Sequence, residues 1–404
     1  MHSALPTRPN WVEISTHAIE HNYRFLQSVA PPQAELLAIV KADAYGHSLE
    51  LCAPAAVRAG ARWLGVTSVE EGLAARKLCP DARILIMGGI FPGQGPAILE
   101  HNLTAVAWEP YQLDELESAA RLCNAPAGTV PVHLEIDSGM SRQGAAREDL
   151  APIVARFGPH SPLRLEAITT HLYASDESDG QTTAHQLTCL GEAIAPINNA
   201  QPASPARPEW LSVGASAALL GRDAGAASAL AAELRLKLIL RPGLALYGVV
   251  PRFQPPFGPG EEPNSLADTR QHLQPVLAWK TRVVSVREID AGTEIGYNGT
   301  FIATEPMRVA LIATGYADGL DRRLGNRFSL LVRGQRAPLV GRVSMDQAVL
   351  DITEIAAVEP GDEVVMIGRQ GSETISAFDH ADAAGTIPWE VFTRIAPRVT
   401  RIER

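Results

Sequence analysis

Cysteine is scarce in this sequence, and so are long apolar runs and positive charge. The four cysteines, Cys52, Cys79, Cys123 and Cys189, are scattered along 404 residues, and no two form a Cys-x-x-Cys pair. Each sits in a helix-like pattern. They therefore read as buried thiols in a reducing compartment, not as disulfides or metal ligands, and no metal is expected. No run of about 18 apolar residues occurs, so no membrane span is expected. Residues 1–9 lack an apolar h-region, so no secretory signal is expected and the cytoplasm is the expected compartment. Lys and Arg number 35 against 45 Asp and Glu, a net charge of −10. That balance argues against a nucleic-acid partner, although it leaves an acidic substrate open because local charge decides that.

The hydrophobic fraction is 46% and the charged fraction 20%, as in a soluble protein with a sizeable core. The length suggests a large barrel plus a second unit. Strand-like segments fall near Leu36–Val40, Trp63–Val66, Ile84–Met87, Thr104–Ala107, Val132–Ile136, Leu165–Thr169, Trp210–Val213 and Leu236–Leu240. Amphipathic helices such as Val69–Leu78 and Tyr111–Leu122 lie between them. Eight strands with seven intervening helices predict a parallel (β/α)8 barrel of the TIM type over residues 15–250. A doubly wound sheet would need a topological switch point that the pattern does not reveal.

Residues 251–275 are rich in Pro, Gly and Glu and read as a linker or long loop. Residues 276–404 read as a mostly β domain. Its expected strands are Val276–Arg287, Arg308–Ile312, Phe328–Val332, Ala337–Val340 and Val364–Ile367, with a helical patch near Ile375–Ala384. Trp11–Ile14 alternates like a strand, followed by Ser15 or Thr16 as a helix cap.

Ligands of parallel barrels bind at the C-terminal ends of the strands. There Leu36–Val40 runs into Lys41, and a partly desolvated lysine is a usable amine. On its own it could equally snorkel out of the strand end. The string Val40-Lys41-Ala42-Asp43-Ala44-Tyr45-Gly46-His47 resembles the pyridoxal-phosphate attachment motif of alanine racemases. Further motifs follow in that family's order, so the resemblance covers nearly the whole chain. It implies that Lys41 holds the cofactor covalently and that Tyr45 helps bind its phosphate.

Asp137-Ser138-Gly139-Met140-Ser141-Arg142 is similar to the family's arginine loop, which implies that Arg142 meets the cofactor's phenolate oxygen and the substrate carboxylate. Many members have a carbamylated lysine where this chain has Glu135. Glu135 already carries the negative charge, and it is expected to replace the modification and orient Arg142. The resemblance further implies that His171 stacks by the cofactor ring, that Asp176 lines the substrate's access path, and that Ser216, Gly243 and Leu244 bind the phosphate. Ala215 stands where the family has asparagine. Arg241 would face the ring nitrogen. Arginine accepts no proton, so the nitrogen would stay unprotonated, which suits brief proton removal and return better than transamination.

Glu294–Thr300 is similar to the segment carrying the family's second base, matched by Tyr297. In the family it enters from the other subunit, which implies a homodimer with composite sites. Without the resemblance, a tyrosine beside Asn-Gly is an ordinary turn residue. Met345 and Asp346 match substrate-carboxylate contacts, and Tyr316, Arg322 and Arg342 match access-path residues. In the family the N-terminal strand segment around Trp11 joins the second domain, which implies that residues 1–14 do so here. Arg394–Val399 fits the closing strand, with Pro397 where some members have a phosphate-touching tyrosine.

The resemblance implies a two-base alanine racemase, with Lys41 serving the D-isomer and Tyr297 the L-isomer, supplying D-alanine for peptidoglycan. Racemases of serine, lysine or broader range, a decarboxylase of the same barrel fold, and a non-enzymatic pyridoxal-phosphate carrier are the alternatives.

Overall fold

The computed structural model describes residues 8–198, 204–258 and 260–404. Residues 1–7 of the expected N-terminal strand segment, and Pro259 of the expected linker, lie outside the described residues. The chain divides into two compact units. One, the barrel unit, is His17–Ala44 with Cys52–Gln274. The other, the strand unit, is Met1–Thr16, Tyr45–Leu51 and Pro275–Arg404.

The chain opens with β1 (Asn10–Ile14) of the strand unit. The barrel unit closes eight parallel strands into a ring: β2 (Glu35–Ile39), β3 (Trp63–Val66), β4 (Arg83–Ile86), β5 (Thr104–Ala107), β6 (Val130–Glu135), β7 (Leu163–Thr169), β8 (Trp210–Ser212) and β9 (Lys237–Leu240). Pairing of Glu35 with Ile239 and of Leu36 with Leu240 closes it. These strands are near-continuous apolar runs because helices cover one face and barrel side chains the other. The four residues of β3, for example, are all buried. The helix Val69–Leu78 has Ser68 as its N-cap, Glu70 and Glu71 in its first turn and Arg76 and Lys77 in its last. That arrangement complements the helix dipole.

The expected linker is not structureless. Asn264–His272 is a helix of the barrel unit. Its buried positions are Leu266 and Thr269, too few for an apolar stripe to mark it in the sequence. The four cysteines are also not uniformly buried. Cys52 and Cys79 are, whereas Cys189 is half-buried and Cys123, just past a helix end, is exposed.

The strand unit adds β10 (Leu277–Ile289), the short pair β11 (Glu294–Ile295) and β12 (Phe301–Ile302), β13 (Met307–Ile312), β14 (Ser329–Val332), β15 (Gln335–Val340), β16 (Ala348–Asp351), β17 (Glu363–Gln370), β18 (Glu373–Ile375) and β19 (Thr400–Glu403). Nine of its strands form one sheet in the order β18-β17-β14-β15-β16-β13-β10-β1-β19. β1 lies antiparallel to β10 and parallel to β19. Arg394–Val399 is not the closing strand. It is a turn between the helix Pro388–Thr393 and β19, with Val399 N–H bonded to Ala396 O. Pro397 has no N–H to give to a ladder.

Candidate active site

Immediately past β2, the backbone of Ala42, Asp43, Ala44 and Tyr45 turns left-handed, with φ of 53°, 52°, 54° and 54°. Each such residue costs roughly 1–2 kcal/mol. Strain concentrated beside one lysine is a mark of function. Ala44 N–H bonds back to Val40 O at 2.9 Å. Gly46 ends the turn at φ 76°, where a Cβ would lie 2.5 Å from Phe392 O, so glycine is required there. Glu71 Oε1 accepts from Ala42 N–H at 2.7 Å and its Oε2 from Thr67 N–H at 2.7 Å. Tyr247 hydroxyl donates to Ile39 O at 2.8 Å and closes the strand end from another side.

Cations gather over these strand ends, opposed by the carboxylates of Glu135 and Glu71. Arg241, after β9, is 7% exposed. Its guanidinium donates to Thr169 Oγ1 (2.9 Å), Ser212 O (2.5 Å), Ser212 Oγ (2.9 Å) and Thr170 O (2.6 Å), all neutral oxygens. Burial lowers its pKa to about 10. Burial also lowers the pKa of Lys41, helped by the charges of Arg142 and Arg241 and opposed by Glu71. His171, after β7, is held at about 3 by burial and then by Arg241, Arg142 and Lys41, so its ring is neutral.

The loop carrying Arg142 is shaped by Asp137, whose Oδ1 accepts from Gly139 N–H at 2.9 Å and Ser141 N–H at 3.1 Å. Ser138 Oγ lies 2.9 Å from Thr170 Oγ1, and Gln186 Nε2 donates to both Ser138 Oγ and His171 O at 3.2 Å. Glu135 does not grip Arg142. Its carboxylate accepts from Gln143 Nε2 at 2.7 Å, and burial raises its pKa. The geometry therefore corrects the expectation that Glu135 orients Arg142 directly. Gln143 is half-buried and meets the Glu135 carboxylate, while Arg142 is exposed.

Ser216 Oγ accepts from Gly243 N–H and Ala245 N–H, both at 3.1 Å. Its own O–H remains available to a bound oxygen. The expected Gly243 amide is thus engaged with Ser216, and Ala245, which the sequence did not single out, shares that role. Asp176 is exposed at the same end of the unit. Lys41, Arg142, His171, Ser216 and Arg241 thus all follow C-terminal strand ends of one barrel. An amine with a weakened hold on its proton, a free hydroxyl and a guanidinium with nothing to accept a proton together fit an aldehyde-bearing phosphate cofactor. Glu71, Thr169, Gln186 and Ser212 escaped the sequence reading. Only Glu71, at helix position N3 after Ser68, had a recognisable signal.

The strand unit holds the other candidates. Tyr45 is buried, with its pKa pushed up to about 12 by desolvation. Tyr297 opens a tight turn and is 68% exposed. Its neighbour Gly296 rests against the backbone of Arg342, which is half-buried. Arg322 is exposed. Tyr316 and Met345, also exposed, lie on two loops joined by bonds from Tyr316 N–H to Ser344 O and Ala317 N–H to Met345 O, each 3.0 Å. Gly315 permits that approach, since a Cβ would lie 2.3 Å from Met345 O. The Asp346 carboxylate is engaged by Arg398 at 2.7 Å and lies 3.7 Å from Arg8. Asp318, fully buried, accepts from Arg8 at 2.9 Å, Arg398 at 2.8 Å and Gly315 N–H at 2.9 Å.

Two family models match the chain: alanine racemase, N-terminal domain, over residues 14–251, and alanine racemase, C-terminal domain, over residues 276–403. An alanine racemase of Sorangium cellulosum is 35% identical over 409 residues, covering 98% of this chain and 99% of that protein. Among solved structures, the alanine racemase of Streptomyces coelicolor A3(2) superposes with a TM-score of 0.86 at 31% identity, covering 99% of both chains. The alanine racemase of Bartonella henselae with covalently bound pyridoxal phosphate gives 0.81 at 25% identity, covering 98% of this chain and 99% of that one.

Proposed function

The chain belongs to the alanine racemase family, and on that footing we propose that it interconverts L- and D-alanine using pyridoxal phosphate. The observation that carries this reading is the Lys41 amine, whose pKa is lowered by burial and by Arg142 and Arg241, at the end of a parallel-barrel strand.

Lys41 and Ser216 would hold the cofactor's aldehyde and phosphate ends. Tyr45, Gly243 and Leu244 would assist at the phosphate. Bound pyridoxal phosphate would supply the electron-withdrawing ring that acidifies the substrate's α-hydrogen. Arg241 would temper that role: its charge has no acceptor site, so a facing ring nitrogen stays unprotonated and withdraws electrons less, which suits brief proton removal and return. His171, neutral, presents a flat uncharged face. Lys41 Nζ would take the α-proton of D-alanine on one face while a proton is delivered on the opposite face to give L-alanine, and in the reverse direction Lys41 would deliver the proton. Tyr297 of a second copy serves L-alanine on the other face. Its 68% exposure in the single chain suits a group completed by a partner. A phenol's ordinary pKa is about 10, so a neighbouring cation in the assembled site must stabilise its phenolate. Met345, Asp346 and Arg142 would meet the substrate carboxylate, and Asp176, Tyr316, Arg322 and Arg342 would line its access path. Four cysteines outside any disulfide fit a reducing cytoplasm, and D-alanine for peptidoglycan is the product's expected use.

The test is L-alanine in D2O, following α-deuteration and D-alanine together. Wild type should form deuterated D-alanine, and Lys41→Ala and Tyr297→Phe should each lose roughly 10²–10⁴-fold. Mixing the two inactive variants and allowing subunits to exchange should restore activity in mixed dimers, because one site then has both bases. Full activity in either variant sinks the two-base assignment. No recovery on mixing sinks the composite site. Racemisation of serine or lysine but not alanine reassigns the substrate, and bound cofactor with no deuteration of any amino acid leaves the carrier reading.

A further inference from the structure

β2 and β3 pair as far as Ile39 and Gly65, and Val40 N–H still reaches Gly65 O at 2.9 Å. Beyond that the two chains part, one into the left-handed turn after Lys41 and the other into the helix Val69–Leu78. The amides of Ala42 and Thr67 flank the fork, and Glu71 takes both, one on each carboxylate oxygen, at 2.7 Å. The string Ser68-Val69-Glu70-Glu71 has the spacing of a capping box, in which the glutamate folds back onto the cap residue's own amide. Glu71 instead reaches one residue further back and across to the neighbouring strand. Ser68 alone keeps the ordinary cap, accepting from Glu71 N–H at 3.4 Å.

We propose that Glu71 is a positioning residue for Lys41: by clamping the Ala42 and Thr67 amides it fixes the left-handed turn from which the lysine side chain departs. This rests on the reading of Lys41 as the proton-transferring amine. The turn is intrinsically disfavoured, so its shape has to be held from outside. Two short bonds to an ionised carboxylate are strong ones, and the carboxylate is itself carried on a capped helix. Its charge matters as well. Arg142 after β6, Arg241 after β9 and His171 after β7 face Lys41 from the other strands, and Asp43 is exposed within the turn itself. Among the groups that move the Lys41 proton equilibrium, Glu71 is the acidic one, and it opposes the two arginines.

The experiment uses the holoenzyme and, separately, the cofactor-free full chain. In the holoenzyme, E71Q loses one acceptor and sets an NH2 group against an N–H, so kcat should fall about 10²-fold with KM for L-alanine within about twofold of wild type. In the cofactor-free chain, Lys41 modification by acetic anhydride is followed against pH by peptide mapping. Its midpoint should move to lower pH in E71Q, because the counter-charge is gone. E71D keeps the charge but is one methylene too short to bridge both amides, so its midpoint should stay near wild type while kcat falls about tenfold. S68A weakens the same helix through its cap and should leave kcat and midpoint alone. Wild-type kcat and midpoint in E71Q, an activity loss matched by Tm with an unmoved midpoint, or S68A reproducing E71Q, each overturns the proposal. If E71Q does not fold, wild-type kcat in E71D overturns it. A wild-type chain that racemises nothing defeats the functional reading instead, and the labelling arm then still decides on Glu71.

Discussion

The strand ends of the barrel and the loops around Asp318 treat buried charge in opposite ways, the former differing also from Glu166 elsewhere in the barrel, which Arg83 and Arg164 pair. In the barrel unit Arg241 is buried against four neutral oxygens, while Lys41 and His171 have their proton affinities pulled down beside it. In the strand unit Asp318 is fully buried yet meets two guanidiniums, and Asp346 shares both of them. At the strand ends positive charge outweighs the Glu135 and Glu71 carboxylates that oppose it and so perturbs its neighbours. The strand unit cancels its charge and so fixes loop shape. Uncompensated charge is the costly arrangement, and its location marks where chemistry is prepared.

The sharpest way to break this contrast is Arg241→Met. It strands the oxygens of Thr169, Thr170 and Ser212, part of whose bonding other partners retain, at a cost of about 2–4 kcal/mol by denaturant unfolding. Arg241 also lowers the Lys41 pKa. Its loss therefore raises that pKa, and the acid limb of the racemisation profile should move to higher pH. An unmoved limb would mean that the barrel's positive field does not reach Lys41.

Asp318→Asn tests the paired side. It keeps the shape but weakens the bonds from Arg8, Arg398 and Gly315 N–H. The two guanidiniums are 35% and 39% exposed and can rehydrate. The expected cost is therefore about 1–3 kcal/mol, with the Lys41 limb unchanged. A shifted limb would contradict the division of roles between the units.

Histidine blurs the contrast. His171 in the barrel is held near 3 and His380 in the strand unit near 4, the latter by burial, with a bond to Met366 O at 2.8 Å. For both, the unfolded chain binds protons below about pH 6.5 that the fold refuses. Stability is therefore full above pH 6.5 and falls as pH drops toward 4, by at most about 1.4 kcal/mol per pH unit for each. Substituting His171 and His380 by Gln one at a time should each flatten the acid loss measured by thermal unfolding. Equal acid loss in both variants and wild type would mean these rings do not carry it.

Strand positions in the barrel were legible in the sequence because parallel strands are unbroken apolar runs, and Trp63–Val66 and Thr104–Ala107 fall where the pattern put them. β16, β18 and β19 were not legible. They are short, and what defines them is pairing with distant strands. The candidate residues next to strand ends were legible through motif strings. Their supports were not: Glu71 acts through backbone amides of two different loops, and Gln186 sits on a helix far along the chain from the Ser138 and His171 it joins. Glu135 shows the limit most plainly. Its charge was readable, but Gln143, eight residues on, takes the bond that charge alone would give to Arg142.

The smallest effect separates the units without changing either. All four cysteines fall within the barrel unit, so a thiol reagent reports on that unit alone. In the native protein Cys123 should react promptly and Cys189 more slowly. Cys52 is fully buried, and burial pushes its thiol well above the ordinary range, so it should react only when the barrel opens. Trp279, buried in β10, reports on the strand unit. If charge pairing makes the strand unit the more robust of the two, Cys52 should become reactive at a lower denaturant concentration than the one at which fluorescence changes in a variant that keeps Trp279 as its single tryptophan, the other five being replaced by Phe. Coincident midpoints would instead mean that the two units unfold as one cooperative body, and the contrast in charge handling would then be a matter of function alone.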